Sequence, residues 1–414
     1  MTDIAGTVPV IAVDKVQAVA LAVCTYYFGV WLKGKVGVLS RYSIPSPVVG
    51  GMSFAIVVSF LEYFNIVKVQ IDSTLQTVLM LGFFTTIGLM ASLRVVKDGG
   101  RLLLGFLLAV TVLVFLQNGM GMVIAEAMGF DKHYGILAGS VSMMGGLGTA
   151  AAFGPYFEET YGITGGTAVA VTAATFGMVA ALLIGGPFGE WCIRRYKVKT
   201  PDEVQQPEPE LHLPDDMDTD ITEQHASAKP NFTNEIMRAV SVTALAMGLG
   251  TIVSNFLGHY ITLPAYIGAM IVATVIRNVG DFSGMYKVEG KGLNAVADIT
   301  LVLFVTMAIN NLKLHELVHL ALPLVVILAC QTILMLIYAW TVLFTAFGRS
   351  YDAVMLSVGG IGFSMGATAN GLANMQAISE KYGSSPRAWL IVSVVGAFLI
   401  DLINAVVITW FGTL

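Results

Sequence analysis

Long runs of apolar residues, separated by short polar stretches, follow one another along almost the whole chain. Ten of these runs are long enough for a helix to cross the ~30 Å hydrocarbon core of a membrane, which takes about 20 residues. They cover residues 11–31, 46–64, 75–92, 102–127, 166–190, 235–258, 263–280, 293–311, 317–346 and 388–412. The pattern predicts an all-α polytopic membrane protein.

The amino-acid composition supports this prediction. Of the 414 residues, 56% are hydrophobic and only 12% are charged, whereas soluble domains carry about 25% charged residues. A soluble core cannot bury so much apolar surface, and no stretch of the chain is left for a large soluble domain. We therefore expect the lipid bilayer to surround the chain, and we expect no nucleic-acid partner.

The stretch 197–231 differs from the rest of the chain. It is rich in Pro, Asp and Glu and almost lacks aromatic residues, which is typical of a solvated linker. It divides the chain into an N-terminal half, 1–196, and a C-terminal half, 232–414. Each half contains five predicted spans and one further apolar segment that glycines interrupt, 134–157 in the first half and 352–378 in the second.

The two halves resemble each other in sequence. Under one offset of about 220 residues, Pro45 corresponds to Pro264, Gly145 corresponds to Gly366, and the two glycine-interrupted segments coincide. These matches indicate an internal repeat. Because five spans are an odd number, the second half is predicted to be inverted relative to the first, an arrangement typical of secondary transporters.

The distribution of Lys and Arg gives the orientation. The basic loops all lie on one side if the ten runs span the membrane and the two glycine-interrupted segments enter and leave on the same side. Counting those segments as ordinary spans destroys the pattern. We therefore predict that both segments are re-entrant hairpins, that both termini are outside and that the acidic linker is cytoplasmic.

The first of these segments contains the sequence "GSVSMMGGLGTAAAFGPY" at residues 139–156. It is not a phosphate-binding loop, because the Gly-Lys-Ser/Thr sequence that such a loop needs is missing. Two interpretations stay open. The glycines either let helices pack closely, as is common in membranes, or form the tip of a re-entrant hairpin whose backbone N–H and C=O groups face a cavity.

The second segment, "SVGGIGFSMGATANGLANMQ", repeats this design with more polar side chains. The substrate is expected to contact the two tips and one neighbouring helix. The candidate residues are Gly145, Gly146, Gly148, Thr149, Gly366, Thr368, Asn370 and Asn118. No Lys or Arg lies in the middle of a predicted span, so an anionic substrate has to rely on the N–H groups at helix N-termini.

Neutral oxygens in the second segment suit Na⁺, which prefers several carbonyl or hydroxyl ligands. Asp401 lies well inside the last span with Asn404 one helical turn away, and a carboxylate at such a depth is by default a candidate functional group. The candidate Na⁺ ligands are Ser364, Asn374, Gln376, Asp401, Asn404 and Thr306. The alternatives are hydrogen bonds between helices for the neutral groups and a structural ion pair for Asp401.

Several sequences together resemble the bacterial sodium:glutamate symporter family. They include "YSIPSPVVGGM" (42–52), "GSVSMMGGLGTAAAFG" (139–154), "GFSMGATANGLANMQAI" (362–378) and "VGAFLIDLINAVVI" (395–408). The resemblance covers nearly the whole chain outside the linker. Members of the family carry a His between the second and third glycines of the first motif, where this chain has Leu147.

The resemblance implies Na⁺-coupled uptake of L-glutamate across the bacterial inner membrane. It also implies two inverted five-helix repeats with re-entrant hairpins, a homodimer, an elevator-like moving domain and periplasmic termini. The alternative function is Na⁺-coupled symport of another carboxylate, such as aspartate or a citrate-like compound. A channel is a third hypothesis. An enzyme is disfavoured because no nucleophile–base pair or metal cluster is present in the sequence, and no cofactor is expected besides Na⁺ as the coupling ion.

Overall fold

The computed structural model of the protein describes residues 8–37, 39, 44–94, 100–201, 232–257, 265–284, 286, 290–313 and 320–414. Most of the predicted linker and Pro264 lie outside the described residues. The described part is built almost entirely from helices.

The N-terminal half contains five long helices and one interrupted segment. Its elements are β1 (Val10–Val13), α1 (Lys15–Lys35), α2 (Ser46–Tyr63), β2 (Lys68–Ile71), α3 (Thr74–Met90), α4 (Gly100–Ala127), α5 (Lys132–Ile136), a π-helical turn (Leu137–Val141), α6 (Gly146–Tyr161) and α7 (Gly166–Tyr196).

The described C-terminal half follows the same order. Its elements are α8 (Phe232–Leu257), α9 (Ala265–Ser283), α10 (Lys291–Asn310), α11 (Ala321–Tyr338) with a π-helical extension (Ala339–Ala346), α12 (Tyr351–Ser364), α13 (Thr368–Tyr382), and α14 (Pro386–Val394) continuing through a π-helical turn (Val395–Leu399) into α15 (Ile400–Gly412). The helices match the predicted spans to within a few residues.

The start of the first predicted span is wrong. Residues 11–13 belong to strand β1, which pairs in parallel with β2 from Val10 opposite Lys68 to Val13 opposite Ile71. Helix α1 begins after Asp14, whose side chain accepts hydrogen bonds from the N–H groups of Val16 and Gln17. This N-cap ends the extended stretch because it satisfies the first N–H groups of the helix. The fold is therefore helical with one small sheet, and not purely α.

Seven of the described helices are long and apolar enough to cross a membrane: α1, α2, α4, α7, α8 (to Phe256), α10 and α11 with its extension. Helices α3 and α15 are apolar but shorter. This count, together with the exposed apolar side chains on the outer faces of the helices, makes the chain a multi-pass membrane protein.

The helices form two packing groups. The hairpin group consists of α4–α7 and α11–α15, and the frame group consists of α1–α3 and α8–α10. Most contacts between helices fall within one group or the other. The largest hydrophobic core lies mainly in the hairpin group, where Phe106, Phe153, Leu343 and Phe363 are fully buried. A smaller core joins α3 to α8–α10 in the frame group.

Each glycine-interrupted segment is a pair of helices joined by a break. In the first, Gly139 leaves the helical conformation at φ −90° and ψ −131°, and the ring of His133 before the break stacks on Tyr161 after it. In the second, α12 and α13 lie side by side so closely that a Cβ on Gly362 would be 2.3 Å from the Cα of Gly371. Both segments therefore fold back on themselves.

Candidate functional site

The two breaks meet at one point of the molecule. Gly146 begins α6 with φ +60°, and a Cβ on this residue would be 2.5 Å from the carbonyl oxygen of Gly366. Only glycine fits there, because the left-handed conformation strains other residues and the neighbouring carbonyl leaves no room for a side chain. The tip of the first hairpin and the tip of the second are thus in direct backbone contact.

Two helix N-termini lie at this contact. Helix α6 begins at Gly146 after Gly145, and α13 begins at Thr368 after Ala367. Neither start has a side-chain cap, although Ser, Thr, Asp or Asn usually supplies one. The first N–H groups of both helices therefore stay available, and both N-termini carry the positive end of a helix dipole.

A cavity of about 450 Å³ lies between the two tips and the frame group. The tips contribute residues 144–149 and 366–370, and the frame group contributes apolar side chains such as Phe83, Ile87 and Leu301. Ligand sites are usually mostly apolar cavities of this size with a few polar groups. The cavity is therefore the best candidate for a substrate site.

Asp401 is the one charged residue among the described residues that line this cavity. It is half-buried in the first turn of α15 and lines the cavity together with the two tips. The described lining contains no Lys or Arg. The cavity thus combines two positive helix ends with one carboxylate, a pattern that fits a ligand with both negative and positive groups.

Most of the predicted substrate residues are brought together here. Gly145, Gly146, Gly148, Thr149, Gly366, Thr368 and Asn370 all line the cavity. The Thr368 hydroxyl donates to the carbonyl oxygen of Gly396, and the Asn370 side-chain amide donates to that of Met178 at 2.8 Å. These bonds fix the orientation of the two side chains at the cavity wall. Leu147 also lines the cavity.

Asn118 lies elsewhere. It is fully buried in the middle of α4, behind the first hairpin, and its Oδ1 accepts a hydrogen bond of 2.9 Å from the N–H of Ser140. The break at Gly139 turns this N–H out of the helix, so Asn118 supports the shape of the hairpin from behind.

The predicted Na⁺ ligands fall into separate places. Ser364 and Asn404 are fully buried next to α4, and each keeps a side-chain oxygen without a hydrogen bond to any described residue. Asn374 donates to the carbonyl of Ala181 on α7. Thr306 lies on α10 and donates to Val302 in its own helix. Gln376 is exposed on the outer side of α13 and pairs with Glu380.

The described residues contain no cluster of three or more His, Cys, Asp or Glu that could hold a metal ion. Gln117 and Gln331 were not among the candidate site residues, although both are buried amides that contact the hairpin region. Their signal was available, since each is an isolated amide within a long apolar helix, and a buried polar group in a membrane span is costly unless it has a role.

Comparisons with known proteins identify relatives of this chain. A family model described as "Sodium/glutamate symporter" matches residues 11–384. The curated sodium/glutamate symporter of Escherichia coli (strain K12) is 38% identical over 400 residues, which cover 95% of this chain and 96% of that protein. The one of Haemophilus influenzae is 34% identical over 395 residues, which cover 94% of this chain and 95% of that protein.

Proposed function

Because the chain belongs to the sodium/glutamate symporter family, we propose that it carries L-glutamate together with Na⁺ across the bacterial inner membrane. The relatives are named as symporters, so the chain is a transporter and not an enzyme. Na⁺ is then the coupling ion, and the protein needs no other cofactor.

The observation that carries the choice of substrate is the charge pattern of the cavity. Glutamate has two carboxylates and one ammonium group. The carboxylates fit the uncapped N-termini of α6 and α13, where N–H groups and helix dipoles favour anions. The ammonium group fits Asp401, the one carboxylate among the described lining residues. We therefore assign Asp401 to the substrate ammonium group and not to Na⁺, the role that sequence reasoning gave it.

The same pattern argues against the citrate-like alternative. Citrate has no ammonium group, so Asp401 would face a substrate that is only negative, and two like charges in a partly apolar cavity repel each other strongly. Aspartate carries the same three groups as glutamate and is shorter by one methylene. It is expected to compete more weakly, since one methylene in a pocket changes binding by about 1–3 kcal/mol.

We further propose that the two halves are inverted repeats and that the glycine-interrupted segments are re-entrant, with periplasmic termini and a cytoplasmic linker. The common order of helices in the two halves supports the repeat. The division into a hairpin group and a frame group, with the cavity between them, suits an elevator in which the hairpin group carries the substrate past the frame. The resemblance to the family adds a homodimer to this proposal.

The experiment that tests the function is uptake of labelled L-glutamate into liposomes that contain the purified protein. We expect an inward Na⁺ gradient to drive accumulation above equilibrium, and we expect a Na⁺ ionophore to abolish it. Unlabelled L-glutamate should compete best, D-glutamate and aspartate should follow, and citrate should have little effect. Equilibration without accumulation would indicate a channel, and stronger competition by citrate than by glutamate would overturn the choice of substrate.

A further inference from the structure

Two adjacent amides in the middle of α4 reach the two hairpins. The Nε2 of Gln117 donates to the carbonyl oxygen of Ser364 at 2.9 Å, and Oδ1 of Asn118 accepts from the N–H of Ser140 at 2.9 Å. Ser364 is the last residue of α12, so its carbonyl needs a partner outside the helix. Helix α4 thus binds both breaks from behind, on the side away from the cavity.

Two further amides join this network. The Nε2 of Gln331 on α11 donates to the backbone oxygen of Gln117 at 2.7 Å. The Nδ2 of Asn404 on α15 donates to the backbone oxygen of Ser140 at 3.1 Å. Hydrogen bonds therefore join Gln117, Gln331 and Ser364 in one set and Asn118, Ser140 and Asn404 in a second set. The two sets form one network because Gln117 and Asn118 are adjacent residues of α4.

The network contains oxygens that lack a hydrogen-bond partner among the described residues. They are Oε1 of Gln117, Oε1 of Gln331, Oδ1 of Asn404, and the hydroxyls of Ser140 and Ser364. Each of these residues is at most 1% exposed. Buried polar atoms normally have a partner, and leaving one without costs roughly 1–3 kcal/mol. So many in one network indicate that a bound water or ion pairs with them.

The orientation of the amides makes these atoms acceptors. The side-chain nitrogens of Gln117, Gln331 and Asn404 all donate to backbone carbonyls, which can only accept. Rotating any of these amides by 180° would place its oxygen against a carbonyl oxygen. The hydrogen bonds to these carbonyls therefore determine which end of each amide is the oxygen. What remains is one donor, Nδ2 of Asn118, and five neutral oxygens, three of which cannot donate a hydrogen bond.

We propose that this network is a Na⁺ site. Gln117, Gln331 and Ser364 supply oxygens on the side of the second hairpin, and Ser140 and Asn404 supply them on the side of the first. A hard monovalent cation fits several neutral oxygens. A divalent ion fits poorly, because no carboxylate is part of the network. The proposal rests on the proposed function, since it names where the coupling ion of that symport binds.

The site also offers a physical route for coupling. An ion bound by both hairpins stabilises the breaks at which α6 and α13 begin, and these two helix ends face the substrate cavity. Na⁺ and glutamate then each bind more tightly when the other is present, as coupling between two sites requires. The ion itself stays behind the tips and does not contact the substrate.

Ser364→Ala is the sharpest test, because it removes one proposed ligand and breaks no hydrogen bond to a described residue. In choline chloride without glutamate, the variant should unfold at the same temperature as the wild type or higher, since a buried hydroxyl without a partner is lost. In NaCl at equal ionic strength, the variant should need about tenfold more Na⁺ than the wild type for the same stabilisation. It should also need about tenfold more Na⁺ for half-maximal glutamate uptake. Ser140→Ala should behave alike.

Ser357→Ala is the matched control. Ser357 is fully buried in the same helix, but its hydroxyl donates to the carbonyl of Ala353 at 2.6 Å. Its Na⁺ dependence should equal that of the wild type. If Na⁺ stabilises the wild type and Ser364→Ala and Ser140→Ala equally, the network holds water only and the inference is overturned while the proposed symport stands. If Na⁺ neither stabilises the wild type nor drives glutamate uptake by it, the proposed function itself is wrong.

Discussion

Asp401→Asn is expected to lower the apparent affinity for glutamate about 100-fold, which corresponds to ~2.8 kcal/mol. The substitution keeps the size of the side chain but removes the negative charge that faces the cavity. The charge-assisted hydrogen bond to the substrate ammonium group, which is stronger than a neutral one, is then lost. The measurement is the glutamate concentration for half-maximal Na⁺-driven uptake in liposomes.

A second measurement separates recognition of the ammonium group from a general loss of function. Glutarate has the two carboxylates of glutamate and no ammonium group. The wild type should prefer glutamate to glutarate strongly as a competitor, and Asp401→Asn should lose most of this preference. Asp72→Asn serves as the control, because Asp72 is an exposed aspartate outside the predicted spans, and its side chain only accepts a hydrogen bond from the N–H of Thr74 at the start of α3.

The outcome also decides between two roles for the same carboxylate. If Asp401→Asn changes the Na⁺ concentration for half-maximal uptake but leaves the affinity for glutamate and the preference over glutarate intact, Asp401 binds Na⁺ and the assignment to the ammonium group is wrong. Both roles predict a defective transporter, so a simple loss of uptake does not distinguish them.

Gly146→Ala is expected to reduce uptake to less than about a tenth while the protein still inserts in the membrane. An L-residue at φ +60° costs ~1–2 kcal/mol, and the new Cβ would lie 2.5 Å from the Gly366 carbonyl oxygen. The tips must separate to accept it, which moves the first N–H groups of α6 away from the cavity. Initial uptake rates, normalised to the amount of reconstituted protein, measure the effect.

Gly119→Ala provides the comparison. Gly119 lies in α4 close to the hairpins, but a Cβ there would meet no atom within 4 Å. This variant should transport like the wild type and be slightly more stable, because alanine favours helices over glycine by about 1 kcal/mol. Full activity of Gly146→Ala would mean that the tips do not need their close contact, and the proposed substrate site would have to be placed elsewhere.

Much of this architecture follows from the sequence in a direct physical way. Long apolar runs must become helices in a bilayer, because an unpaired backbone polar group in lipid is too costly. The glycine-interrupted segments stand out for the same reason, and residues around Gly145 and Gly366 were expected to meet. The strands β1 and β2 were not expected, since residues 11–13 of β1 read as part of the first apolar run.

Two site assignments could have been sharpened from helix geometry alone. Asn370 and Asn374 are four residues apart in α13 and therefore share a face of the helix. Gln376 comes two residues after Asn374, which places it about 200° around the helix axis from Asn374. The exposure of Gln376 follows from this spacing once α13 is taken as a regular helix. The network behind the hairpins was harder to foresee, because the contact of Gln331 with Gln117 joins residues 214 positions apart.

The small parallel sheet provides an independent check on whether the number of membrane crossings between its strands is even or odd. Strand β1 leads directly into α1, and β2 leads into α3. Because the strands run in the same direction side by side, α1 and α3 start from the same face of the membrane and the number of crossings between the strands is even. The far ends of both helices, with Lys33 and Lys35 on one and Arg94 just beyond the other, then share the opposite face. The pairing of two four-residue strands thus indicates the same sidedness as the distribution of positive charge.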